Sequence, residues 1–185
     1  YNLLGMGVGA EKKLLKKVDF FSWKSENNIR EGQVIRKYLI QDREDYTKYS
    51  KMVGNITKLV ARLKTLPIGH EGRIKMSENL LSKLYAMGII NGTSSLSSVE
   101  KLSVSAFCRR RLPVVMVRLR MSENLREATT FIEQGQVRVG PHVITDPAFL
   151  VTRTFEDYVT WVDSSKIKRT IMKYNDKLDD FDLLN

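Results

Sequence analysis

Arg109, Arg110, Arg111, Arg118 and Arg120 fall within twelve residues of this 185-residue chain, and no acid interrupts from Leu102 to Ser122. A guanidinium offers a planar fork of donors that grips a phosphate with two hydrogen bonds at once, so this run points to binding a phosphate-bearing polymer. Groups suited to catalysis are sparse. His70 and His142, the only histidines, stand in unlike contexts and make no metal-ligand pattern with the single Cys108. A nucleophile–base pair of Cys108 with either histidine lacks a supporting local motif. Gly5, Gly7 and Gly9 superficially resemble a dinucleotide loop, but that loop needs a preceding strand and only four residues come before Gly5. No Walker sequence is present, and Asp179-Asp180 lie in a tail with nothing to raise a pKa. The expectation is a protein that is not an enzyme, with no catalytic residue, metal or cofactor.

The rest of the chain must position those arginines. Hydrophobic residues make up 42% and charged residues 28%, as in a folded soluble protein. No apolar run reaches the roughly 18–20 residues that cross a bilayer, and residues 1–10 lack the basic start and apolar core of a secretory signal. No disulfide can form within a chain holding one cysteine, which fits a reducing compartment. The sequons at Asn55 and Asn91 therefore read as chance. Thirty-one Lys and Arg oppose 21 acids, a net charge of +10. Such a surplus favours a polyanion through long-range attraction and counterion release. No segment pairs a basic face with an aromatic-rich one, which argues against a membrane partner.

Most of the surplus, 14 bases against 7 acids, sits in residues 1–65. A basic helix is predicted over 12–23, carrying Leu14, Leu15, Val18 and Phe21. A longer one is predicted from about Asp45 to Thr65, with Tyr49, Val53, Ile56, Val60 and Leu63 as its apolar stripe. Pro67 and Gly69 end it. Met-Ser-Glu-Asn-Leu occurs at 76–80 and again at 121–125, and both copies read as helix starts, with runs stopping at Gly88 and Gly135. Asn124 and Glu127 have capping-box spacing. Residues 92–105 read as a loop and 164–185 as an extended tail or docking segment, basic first and acidic last.

The arginines themselves open a compact pattern. Pro113 suits the first turn of a helix running to about Met121, on which Arg111 and Arg118 are nearly aligned and Arg118 and Arg120 nearly opposed. A second helix is predicted over 124–134, burying Leu125, Ala128, Phe131 and Ile132. Strands follow at 136–139, 143–144, 149–151 and 158–162, with turns at Gly140-Pro141 and Asp146-Pro147. The fold class is α+β: a basic helical region over 1–105, a domain of two helices on a short curled sheet over 106–163, and a tail over 164–185. Cys108 and Trp161 read as packing groups.

Arg110-Arg111-Leu112, Arg118-Leu119, Arg126-Glu127-Ala128, Gly135 and the following strand–turn–strand resemble the RNA-binding domain of small-subunit ribosomal protein four, the S-four or alpha-L motif. The runs ITKLVARLKTLP and ENLLSKLYAMGII resemble the helical region preceding that domain in eukaryotic ribosomal members. With VTWVDSSKIKR and YNDKLDDFDL, the chain from Glu11 to Leu183 is similar to the S-four-like family of the U3 small nucleolar ribonucleoprotein.

The resemblance implies an RNA groove formed by Arg109, Arg110, Arg111, Arg118, Ser122, Asn124, Arg126, Gln136 and Arg138. Ser122 and Asn124 have an equally good reading as helix caps. Lys166, Lys168 and Arg169 either extend the basic surface or serve in nuclear import. Ribosomal members carry glycine at the position of Arg120, which ranks that residue below Arg118. The implied function is an RNA-binding role in ribosome biogenesis and rRNA processing within the nucleolus. There the protein would promote pairing of U3 small nucleolar RNA with precursor rRNA in the small-subunit processome. Implied partners are those two RNAs, the M-phase phosphoprotein component of the U3 particle and other processome proteins. A mature small-subunit ribosomal protein is the alternative, although its tail is typically basic and this one ends Asp-Asp-Phe-Asp-Leu-Leu-Asn. An RNA-modifying enzyme is a more distant one, because the remaining length shows no catalytic domain.

Overall fold

A computed structural model describes residues 20–175, with side chains from residue 29 onward. Most of the helix expected over 12–23 and the acidic end of the chain lie outside the described residues. Contacts divide the chain after Lys37. On the first side stands α1 (Phe20–Tyr38), with Arg36 and Lys37 at its carbonyl end, where cations are favoured. The unit beginning at Tyr38 holds every other described element.

Its first layer is helical. α2 (Arg43–Thr65) opens with Glu44 and Asp45 and closes with Arg62 and Lys64, each matching the charge of its helix end. Tyr49, Val60 and Leu63 of the predicted stripe are buried, and Val53 and Ile56 partly so. Leu66 takes the extended conformation that a residue before proline prefers, and the helix stops. α3 (Glu71–Ala86) begins where His70 Nδ1 accepts a hydrogen bond from Gly72 N at 3.1 Å. Residues 76–80 therefore lie in mid-helix and do not start one, because the histidine cap acts first.

The loop expected over 92–105 also needs correction. It contains α4 (Ser97–Glu100) and leads into α5 (Val104–Cys108). Leu96, Val99 and Leu102 stand three apart and pack on Val60, Leu81, Leu84 and Ile90, so burial imposes a helical turn on a small, polar sequence. Tyr49 stacks on Phe107 at 5.9 Å, joining α2 to α5.

The second layer runs α6 (Leu112–Arg118), α7 (Leu125–Glu133), β1 (Val137–Val139), β2 (His142–Val143), α8 (Arg153–Glu156), β3 (Val159–Trp161) and α9 (Lys166–Tyr174). The two helices and the hairpin stand in the predicted order, whereas the strand expected at 149–151 is reduced to one bridge between Leu150 and Arg111, and the short helix α8 was not predicted. The sheet is antiparallel with order β2-β1-β3, Arg138 facing Val143 on one side and Thr160 on the other. Leu112, Val115 and Met116 of α6 meet Ala128 and Ile132 of α7 over Val137, Val139, Val151 and Val159. Each large apolar side chain fully buried here contributes about 1.5–3 kcal/mol. Trp161 packs edge-on against Phe131 at 5.4 Å. The expected extended tail begins instead as α9, capped by Ser165, whose hydroxyl accepts from Ile167 N at 3.2 Å.

Three helices end in the same way. At α3, α6 and α7 the residue after the cap has positive φ (Gly88 at 73°, Arg120 at 58°, Gly135 at 68°). Two backbone bonds close each end, such as Gly88 N to Tyr85 O and Ile89 N to Leu84 O. Gly88 has a second constraint, since a Cβ there would stand 2.8 Å from the Arg110 guanidinium. Gly88→Ala should lower stability by about 2 kcal/mol, the left-handed backbone alone costing about 1–2. Gly92→Ala, where nothing lies within 4 Å, should change it by less than about 0.5 kcal/mol. Urea midpoints of the two variants provide the measurement.

Candidate nucleic-acid interface

The arginine run is divided by its own backbone. Arg111 bridges Leu150 in antiparallel pairing, Leu112 N donates to Phe149 O at 2.9 Å, and Val151 N donates to Arg110 O at 2.8 Å. Residues 110–112 are therefore a short buried strand-like segment laid against 149–151. A solvated turn would have left both guanidinium groups in water. Arg110, 6% exposed, donates from Nε to Val151 O at 2.9 Å and from Nη1 to Glu156 at 3.0 Å. Arg111, 1% exposed, donates from Nη1 to Asp45 at 3.1 Å and lies 3.5 Å from the Tyr49 hydroxyl. Burial pushes the Tyr49 phenol up, and the adjacent Arg111 charge only partly opposes it.

The expectation that Arg110 and Arg111 grip RNA is corrected accordingly. Their charge is spent on the protein's own carboxylates, one of them 66 positions away. Cys108, just before this segment, is buried, and burial pushes its thiol up to about 11 against the opposing Arg111 charge. Fully buried and with its thiol pushed up, the residue has the character of a packing group.

The other expected residues occupy three places. Arg118 ends α6 with its side chain 49% exposed, sharing Glu156 with Arg110. Arg118 is therefore joined to Arg110, and its predicted alignment with Arg111 has no part in the surface. Arg138 of β1 donates to Thr160 Oγ1 at 3.1 Å and to Asp163 at 2.7 Å, and Lys168 of α9 pairs with that same carboxylate. Lys168 first, and then Arg138, hold the exposed Asp163 carboxyl below its ordinary range. Arg109, Arg126, Lys166 and Arg169 are exposed.

Near the start of α7, Glu127 accepts from Glu123 N at 3.1 Å, whereas Asn124 makes no side-chain cap bond. Neither bond of the predicted capping box forms, because Glu127 reaches the N–H one residue before the cap and the Asn124 carboxamide stays in solvent. Gln136, half-buried, spends its backbone N–H on Phe131 O. Ser122 is buried, and its hydroxyl has no hydrogen-bond partner.

Arg120 differs from its sequence reading most. Lying beyond the last turn of α6, it does not share the helix periodicity assumed for it. It takes the left-handed cap position at φ 58° that glycine fills in α3 and α7. With Ser122, Glu123 and Glu127 it lines a concavity of about 460 Å³. Leu39, after α1, is the other described non-glycine residue in the left-handed region, at φ 47°.

Sequence reasoning also missed Glu156, Asp163, Asp45 and Arg153. Arg153 lies over the Tyr85 ring at 4.2 Å and donates to Tyr85 O and Ile90 O at 2.9 and 2.8 Å. Their decisive contacts reach across the chain, Asp45 to Arg111, Glu156 to Arg110, Asp163 to Arg138 and Arg153 to Tyr85, so no local sequence pattern marks them.

The sequence pattern of the Ribosomal protein S4/S9 N-terminal domain matches residues 8–109, and that of the S4 domain matches residues 110–156. The chain is 56% identical to the U3 small nucleolar ribonucleoprotein protein IMP3 of Saccharomyces cerevisiae, over 93% of this chain and 94% of that one. The chain belongs to the IMP3 family. The Homo sapiens IMP3 is 52% identical over 94% of this chain and 95% of its own length. The small ribosomal subunit protein uS4 of Methanothermobacter thermautotrophicus is 27% identical over 89% of this chain and 96% of its own. These names belong to ribonucleoprotein and ribosomal-subunit proteins, not to enzymes, in agreement with the non-enzymatic reading of the sequence. In IMP3-family terms, the S4 domain here contains α6, α7, β1, β2 and α8, with β3 and α9 completing the layer beyond residue 156.

Two outcomes are expected from this geometry. Arg111→Ala leaves a buried void beside Asp45, whose carboxylate keeps only the exposed Lys48 as a partner, and should cost about 2–4 kcal/mol in chemical unfolding. Arg111→Met combined with Asp45→Asn should recover most of that loss. Arg120→Gly relieves the left-handed backbone and should raise stability by about 0.5–1 kcal/mol in the same measurement. A loss of stability would mean that the guanidinium has a structural partner.

Proposed function

We propose that this chain is an RNA-binding component of the U3 small nucleolar ribonucleoprotein. It would act in the nucleolus during small-subunit biogenesis and promote pairing of U3 RNA with precursor rRNA. The observation carrying this reading is the division of cations on the S4 domain. Arg110 and Arg111 are buried, but Arg118, Arg120 and Arg126 keep accessible guanidinium groups around the α6–α7 junction. Arg138 and Lys168 share the single Asp163 carboxylate. The near-full-length likeness to proteins named for the U3 particle supports the same assignment.

The mechanism is electrostatic. Two RNA strands repel as their phosphates approach, and a mixed field of fixed guanidinium and ammonium groups lowers that repulsion. Arg118, Arg126 and Arg138 on the S4 domain would hold one strand. Lys51, Lys58 and Arg62 lie on the exposed side of α2 and would screen a second. The M-phase phosphoprotein component of the U3 particle and other processome proteins are the proposed protein partners.

RNA copurifying with the tagged protein should be U3 RNA and precursor rRNA, and recovery of mature subunits alone would overturn the assignment. With purified full-length chain, replacing Arg118 and Arg126 by alanine should reduce the slope of log affinity against log salt by about 0.7 per residue. An unchanged slope would remove the α6–α7 junction from the interface.

A further inference from the structure

A second concavity, of about 420 Å³, lies away from the α6–α7 junction, between the segment following α3 and the helices α4 and α5. Lys101 and Arg109 supply its charge, and Asn91, Ser94, Ser98 and Ser103 supply neutral polar groups. No carboxylate lines it. The nearest acid in sequence, Glu100, is paired with Lys64. Lys101 and Arg109 are exposed, and neither makes an ion pair with a described residue. Arg109 thus differs from Arg110 and Arg111, whose charges are neutralised internally.

The rim is also held in place. Arg153 donates to Ile90 O and Tyr85 O while lying over the Tyr85 ring, so the backbone entering this concavity is clamped from α8. Two uncompensated cations ringed by amide and hydroxyl groups suit an anion with several acceptor oxygens. A carboxylate-free lining distinguishes this hollow from the one at Arg120, which carries Glu123 and Glu127.

We infer that Lys101 and Arg109 form a separate phosphate-binding station for RNA backbone, carrying the nucleic-acid path from the S4 domain onto the preceding helical region. The inference rests on the RNA-binding reading above. Arg109 acts there with Lys101 and the serines of 94–103, and its sequence neighbours Arg110 and Arg111 take no part. Binding is by contact with phosphodiester oxygens, so this station has no preference among bases.

The test uses the full-length chain and a single-stranded RNA titrated across a potassium chloride series. Lys101→Ala combined with Arg109→Ala should reduce the salt slope by about 1.4, two contacts at about 0.7 each. Circular dichroism should be unchanged, because both side chains are exposed. The Arg118→Ala, Arg126→Ala pair is measured alongside. A slope that falls only in the α6–α7 pair overturns this station and leaves the RNA reading standing, whereas slopes unchanged in both pairs overturn the two together. Binding of a phosphoserine peptide that the Lys101, Arg109 pair abolishes, with the RNA slope intact, would also overturn the inference in favour of a protein ligand.

Discussion

A guanidinium with 1% of its surface exposed, as in Arg111, destabilises the fold unless an opposite charge and hydrogen bonds replace its water. Asp45, in the first turn of α2, provides that charge, and the Tyr49 hydroxyl lies one helical turn further on. The pairing fixes α2 against the start of α6 in one register, because a shift would leave the buried Arg111 charge without its carboxylate. Exchanging the pair for apolar groups need not weaken the fold. Its contribution is specificity of arrangement, with a large penalty for removing one partner alone.

The same segment organises the rest of the domain. Pairing of 110–112 with 149–151 turns both arginines inward and brings Glu156 to Arg110. Glu156 then steadies Arg118 from below while leaving half of that side chain in solvent. A bound strand would therefore meet a guanidinium already restricted in its motion, and less entropy is lost when it closes on a phosphate. Asp163 serves Arg138 and Lys168 similarly across β1 and α9. Each of these carboxylates serves two cations, so local surplus charge survives even where pairs form. The Asp163 pairing persists above the ordinary carboxylate pKa and is lost as pH falls through its lowered value.

Arg120 shows how the domain departs from its own pattern. Three helix ends share one backbone closure, and two place glycine at the left-handed position. The third places an arginine there, near the buried Ser122 hydroxyl, which has no hydrogen-bond partner among the described residues. Local backbone preference, which favours glycine, and the exposed guanidinium are in conflict at this residue.

The sequence by itself determined the α+β class, the two helices followed by a hairpin, the apolar stripe of α2 and the basic surplus. All of these depend on periodicity, turn chemistry and composition, which are local or summed over the chain. The S-four resemblance was legible because Arg110-Arg111-Leu112, Arg118-Leu119, Arg126-Glu127-Ala128 and Gly135 sit in one continuous stretch. The fate of each arginine was not legible. Arg109, Arg110 and Arg111 are adjacent and chemically identical, yet the first faces solvent and the other two are buried. Pairing with residues about forty positions later, and a carboxylate 66 positions earlier, made that division. The helical turn at 97–100 and the mid-helix position of 76–80 were likewise decided by burial of Val99 and by the His70 cap. Charge count is a property of the chain, but which charges remain for a partner depends on long-range contacts that exist only once the chain has folded.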